Sequence, residues 1–195
     1  MSVRFTLYGL SNVRGVFLRS DWCSSEDMQH VLAALMPENR LVMEIALHTG
    51  LRISDIVAFK TDKLAQRMSV RETKTGKVRR IYLPKGLLAR LRAVAGPIWV
   101  FSGAYDEARH RTRQAVWADV KRAAKLFRLR ANVTPHSARK IYAVEKFHTK
   151  YDLDMVRHLL NHDNDAVTLL YAMADQISAR RGGSPRKRAA ASRPA

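Results

Sequence analysis

MSVRETKTGKVRRIYLP, Met68 to Pro84, is the stretch on which the fold turns. Apolar and polar residues alternate on either side of Thr75-Gly76, the pattern of two half-buried strands joined by a tight turn, and Pro84 closes it. A hairpin is expected here, and it is the only firm strand signal in the chain. Its surroundings repeat at helical spacing. Ser24-Ser25-Glu26-Asp27 is a helix start, and Met28, Val31, Leu32 and Leu35 carry the helix to about Met36. Pro37 breaks it. A second apolar face, Leu41, Val42, Ile45 and Ala46, ends at His48-Thr49-Gly50, where Gly50 suits a C-cap, and Ser54 suits the N-cap of a short third helix through Phe59. Beyond the hairpin, residues 87–95, 112–127, 135–147 and 152–160 read as amphipathic helices, with a short extended Ile98-Trp99-Val100-Phe101 between the first two. The expected class is α+β, mainly α-helical, with a small antiparallel β-sheet.

A chain of 195 residues buries one adequate core, so one domain with tails is expected. Its 35 Lys+Arg against 17 Asp+Glu give a net charge of +18, too lopsided for solubility alone, and call for a polyanionic partner, first of all nucleic acid. No apolar run approaches the ~18 residues of a spanning helix, so no membrane association is expected. The lone Cys23 excludes an internal disulfide framework and a CxxC metal site, as in a reducing cytoplasm. Residues 1–23 read as a basic arm, with Arg4, Arg14 and Arg19 and no acid before Asp21.

Four spaced segments hold the residues able to do chemistry: HTGLRISD with Arg52, ETKTGKVRR with Lys74, TPHSARK with His136 and Arg139, and LLNHDNDAVTLLY with His162 and Tyr171. There is no Walker loop, HExxH helix or DxD cluster, so nucleotide hydrolysis and two-metal nuclease chemistry have no obvious seat. His158 and His162 stand i, i+4 but lack a third ligand of suitable spacing; neither metal nor cofactor is expected. In order and spacing the segments resemble the catalytic domain of the tyrosine recombinases, the phage integrase family, over roughly Ser24 to Asp175. That pattern has an arginine after TGLR, a lysine in a β-hairpin, an H-x-x-R box, and a histidine or tryptophan followed nine residues later by a tyrosine. All six positions are filled here, and Asp55 matches the acidic residue that helps hold such a site together.

The resemblance implies the tyrosine-recombinase catalytic-domain fold and site-specific DNA strand exchange. Tyr171 would attack a scissile phosphate, form a 3′-phosphotyrosyl bond and free a 5′-hydroxyl. Arg52 and Arg139 would present planar forks to the non-bridging oxygens, whose charge must otherwise go unmet. His136 is the candidate base, His162 adds a donor, and Lys74, mobile at its turn, would protonate the leaving oxygen. The implied partner is double-stranded DNA, with a homotetramer on two sites and a monomer possible without DNA. The implied location is the cytoplasm, at a prokaryotic nucleoid or as a phage- or plasmid-encoded protein. Two alternatives stay open: type IB topoisomerase-like relaxation, and a non-catalytic DNA-binding regulator retaining the fold.

Asn161 replaces the usual glycine before the second histidine, and HSAR replaces the commoner HDLR. The catalytic domain is expected over 24–178. The family's N-terminal core-binding domain has no counterpart in residues 1–23, which fits either a naturally single-domain recombinase or an excised catalytic domain. Residues 179–195 read as a disordered basic tail. Its Arg180, Arg181, Arg186, Lys187, Arg188 and Arg193 supply six of the +18 charges and are expected to meet DNA phosphates.

Overall fold

The computed structural model describes Asp21 and residues 23–150, the last four by their backbone. His162, Tyr171, the His158–His162 pair, the helix expected over 152–160, residues 1–20 of the arm and the basic tail lie outside the described residues. The chain divides into two units, Met1–Glu145 and Lys146–Ala195. The side-chain contacts below belong to the first.

Helix α1 (Ser25–Ala34) begins as expected, with the Ser24 hydroxyl accepting from the Asp27 N–H at 3.0 Å. Helix α2 (Pro37–Thr49) starts on its proline, which has no N–H to leave unsatisfied. Leu41, Val42, Met43, Ile45 and Ala46 are all buried, so α2 is apolar around most of its girth, as a central helix must be. It packs against α1, α3 (Ile53–Val57), α4 (Lys85–Val94) and α5 (Arg113–Leu126). Thr112 caps α5 by accepting from the Ala115 N–H at 3.1 Å, and α6 runs Pro135–Lys150.

Two local expectations are corrected. Arg52, not Ser54, is the N-cap of α3, and the helix ends at Val57 rather than Phe59. The Arg52 carbonyl already accepts from the Asp55 and Ile56 N–H groups, and burial of Leu51, Ile56 and Val57 fixes that register. The hairpin forms from β1 (Arg67–Arg71) and β2 (Val78–Tyr82), paired antiparallel from Arg67↔Tyr82 to Arg71↔Val78. Its tip is wider than Thr75-Gly76. The Glu72 N–H donates to the Lys77 carbonyl at 2.9 Å and the Gly76 N–H to the Glu72 carbonyl at 2.8 Å, with Gly76 left-handed at φ +69°. These strands form the one sheet among the described residues. The expected extended segment is present: Trp99 bridges Lys60, and the Val100 N–H reaches the Phe59 carbonyl at 2.9 Å. Among the described residues no helix is long and apolar enough to cross a membrane.

One cap crosses the fold. Met36, the N-cap of α2, has no side-chain oxygen, and Asp119 of α5 supplies one. Its Oδ2 accepts from the Met36 N–H at 2.9 Å and from Asn39 Nδ2 at 2.8 Å, while Arg122 donates to Oδ1. Burial alone would raise the Asp119 pKa, but the Asn39, Met36 and Arg122 hydrogen bonds outweigh it and hold it below the usual carboxylate value. A folded pKa lower than the unfolded one means stability present above about pH 4 and lost as pH falls through the native value. Asp119→Asn should therefore cost ~1–3 kcal/mol near neutrality. Urea unfolding should show the gap from wild type closing below pH 4; a gap constant with pH would refute the ionic part of this cap.

Candidate active site

The last turn of α2 leaves backbone carbonyls without partners inside the helix, at the negative end of its dipole. Two guanidinium groups occupy them. Arg79 Nη2 of β2 donates to the Thr49 carbonyl at 3.0 Å, and Arg139 Nη1 of α6 donates to the Gly50 carbonyl at 2.7 Å. The chain then turns through Gly50, left-handed at φ +66°, into Leu51 and Arg52. A Cβ at position 50 would overlap the Tyr142 ring of α6. Gly50→Ala should thus cost roughly 2–4 kcal/mol, from the left-handed backbone and the forced repacking together. Thermal unfolding checks this; a change under half a kilocalorie, about the scatter of a surface substitution, would show that Tyr142 yields freely.

Arg52, His136 and Arg139 line one open cleft of about 490 Å³, so three expected site residues from two distant segments come together. His136 is exposed at the start of α6, its N–H on Thr134 Oγ1 at 3.2 Å, whereas Arg139 one turn on is 2% exposed. Arg52 is 13% exposed and bonds Glu72 Oε2 through Nη1 at 2.7 Å. Its Nη2 is buried and has no hydrogen-bond partner. Buried donors are nearly always satisfied, so an unmatched guanidinium nitrogen in a cleft wall is suited to an anion.

Asp55 lies behind this wall, 3% exposed, and bonds the hairpin rather than an arginine: Oδ1 accepts from the Thr73 N–H at 2.9 Å. The next residue but one, Thr75, donates its hydroxyl to Glu72 Oε2 at 3.0 Å. Lys74 stands between these anchors with its own side chain exposed; it is not among the residues lining the cleft. The turn expected to be mobile is therefore held on both sides of the lysine.

Glu72 and Arg79 were not singled out as site residues. Glu72 is wholly buried and pairs with Arg79 at 3.2 Å as well as with Arg52. The signal was present in the strand period: Val70 faces the core, and both Glu72, two along, and Arg79, its cross-strand partner, share that face. Arg113 and Trp117 of α5 also line the cleft and also went unmarked.

Three guanidiniums (Arg52, Arg79, Arg139) and two carboxylates (Asp55, Glu72) leave this cluster with one net positive charge. Burial first, then repulsion from Arg52 and Arg79, lowers the Arg139 pKa to about 10, with Glu72 and Asp55 opposing. Arg139 is still charged near neutrality, and an anion in the cleft would relieve both penalties.

A family model described as the phage integrase family matches residues 22–176. The chain is 36% identical over 157 residues to a putative integrase/recombinase, y4qK, of Sinorhizobium fredii, covering 76% of this chain and 50% of that protein. It spans about half the length of the curated relatives it matches. Its fold matches the crystal structure of XerA recombinase with a TM-score of 0.65 at 14% identity, over 84% of this chain and 64% of that one. It also matches a lambda integrase tetramer bound to a Holliday junction, with a TM-score of 0.64 at 20% identity, over 82% and 50%.

Proposed function

The chain belongs to the phage integrase family, and on that premise we propose that it is a site-specific DNA recombinase whose nucleophile is Tyr171. The Tyr171 oxygen attacks a scissile phosphate as its proton passes to His136. The new O–P bond forms as the bond to the 5′-oxygen breaks, and Lys74 protonates that oxygen, since an alkoxide leaves poorly unassisted. Arg52 and Arg139 hold the non-bridging oxygens while charge builds on them, and His162 adds a donor. Attack by a 5′-hydroxyl of a second strand reverses the step, so the bond energy is kept without a cofactor. Double-stranded DNA is the substrate, met along the cleft by Arg113 and at the tail by residues such as Arg186 and Lys187. Four copies on two sites make up the recombining unit, and the cytoplasm is its place of action.

The observation that carries this reading is the convergence of Arg52, Arg139 and His136 on one cleft, with the buried Arg52 Nη2 unmatched. Its test is a library of nicked duplexes of randomised sequence, incubated with the protein in EDTA. Covalent protein–DNA adducts are recovered, sequenced and mapped by mass spectrometry, and the peptide expected to carry DNA contains Tyr171. Adducts accompanied by plasmid relaxation and no recombinants would favour topoisomerase action. Binding without any adduct would favour a regulator.

A further inference from the structure

We propose that Glu72 is a positioning residue for strand cleavage, one carboxylate that aims the Arg52 fork and holds the turn bearing Lys74. The inference rests on the cleavage reading above and adds to it a residue outside the six that the sequence pattern supplies. Oε2 of Glu72 accepts from Arg52 Nη1 at 2.7 Å and from the Thr75 hydroxyl at 3.0 Å, so the phosphate clamp and the residue after Lys74 share one oxygen. Oε1 is held by Arg79 Nη1 at 3.2 Å, and Arg79 is itself fixed to the Thr49 carbonyl at 3.0 Å, two residues before the Gly50 carbonyl's neighbour Leu51. The carboxylate is braced by Arg79 on one oxygen and bonds Arg52 and the turn residue Thr75 with the other.

Stability alone is a poor reason for this arrangement. Glu72 is 0% exposed, and a buried ion cluster is often no better for stability than apolar side chains of the same volume. What it supplies is direction. A planar guanidinium fixed at one nitrogen has the direction of its second nitrogen set, and in Arg52 that second nitrogen is the buried, unmatched Nη2. Reacting groups displaced by an ångström lose rate far more than affinity.

Glu72→Gln keeps the shape but sets an amide N–H against a guanidinium. On the duplex selected by the wild-type protein, cleavage at saturating DNA should fall about tenfold or more, with Kd within about threefold. Because part of the effect of Glu72 passes through Arg52, adding Glu72→Gln to Arg52→Ala should slow cleavage by less than Glu72→Gln slows the wild type, whereas independent structural damage would multiply in full. If Glu72→Gln does not fold, Glu72→Gln/Arg79→Met removes the brace at unchanged net charge and carries the same expectation. Arginine side-chain NMR of the full chain gives a readout that does not need cleavage: the Arg52 Nη resonances should be separately resolved in wild type, from hindered rotation, and should merge in the variant. Merged resonances in wild type, wild-type cleavage by the variant, or multiplicative slowing in the double variant would each overturn the role of Glu72. Resolved resonances with no adduct from wild type would instead count against the cleavage reading.

Discussion

Tyr171→Phe protein is expected to bind the selected duplex with a Kd within about twofold of wild type and to leave no detectable adduct, a loss of at least ~10⁴-fold, as when a covalent nucleophile is removed. The substitution deletes one oxygen and keeps the ring. A phenol with a pKa near 10 needs a base at the moment of attack, and a phenylalanine ring has no oxygen with which to form the phosphate ester. The measurement is single-turnover cleavage of the nicked duplex in EDTA, alongside binding of the same duplex. Adduct formation near the wild-type rate would assign Tyr171 to packing, and the nucleophile would have to be sought elsewhere. Loss of binding together with cleavage would show instead that the ring's hydroxyl supports the fold.

How much of this could be read from the sequence depends on how local each signal is. The Ser24 cap, the Gly50 C-cap and the hairpin strands are written within a few residues of where they act, and each is found in place. The start of α3 was misplaced because Ser54 looks like a cap, while the actual register is imposed by burial of Leu51 and Ile56 from neighbouring helices. Asp119 capping α2 from 83 residues away has no local signature at all. At the cleft, Arg52, His136 and Arg139 were legible because the family pattern marks them, and the fold brings them together. Glu72 and Arg79 belong to no such pattern. They show themselves only when strand alternation is followed far enough to put two opposite charges on the buried face beside Val70. His162 and Tyr171 rest on spacing alone.

Arg139 offers the sharper test of the charge argument, through a substitution that is usually considered mild. Arg139→Ala should slow cleavage about 10²–10³-fold, the loss seen when one oxyanion donor is removed. Arg139→Lys should be nearly as slow in mild alkali and should recover in part as pH falls. Two causes combine. Lysine has a single nitrogen to serve both the Gly50 carbonyl, 2.7 Å from Arg139 Nη1, and a phosphate oxygen, where guanidinium has a planar fork. The surroundings also oppose a cation there: burial, then Arg52 and Arg79, bring the Arg139 pKa down to about 10. The same burial and repulsion would lower the pKa of a lysine placed there. A cation of lowered pKa is charged below that pKa and neutral above it, so the ratio of Arg139→Lys to wild-type cleavage should rise as pH falls from mild alkali towards neutrality. The ratio for Arg139→Ala, which has no charge to regain, should stay flat, and taking ratios to wild type removes the pH dependence of the attacking phenol. A flat ratio for lysine as well would mean that the fork geometry alone accounts for Arg139. Full activity of Arg139→Lys throughout would mean that the site needs only a diffuse positive charge, and the case for two oriented guanidiniums would fail with it.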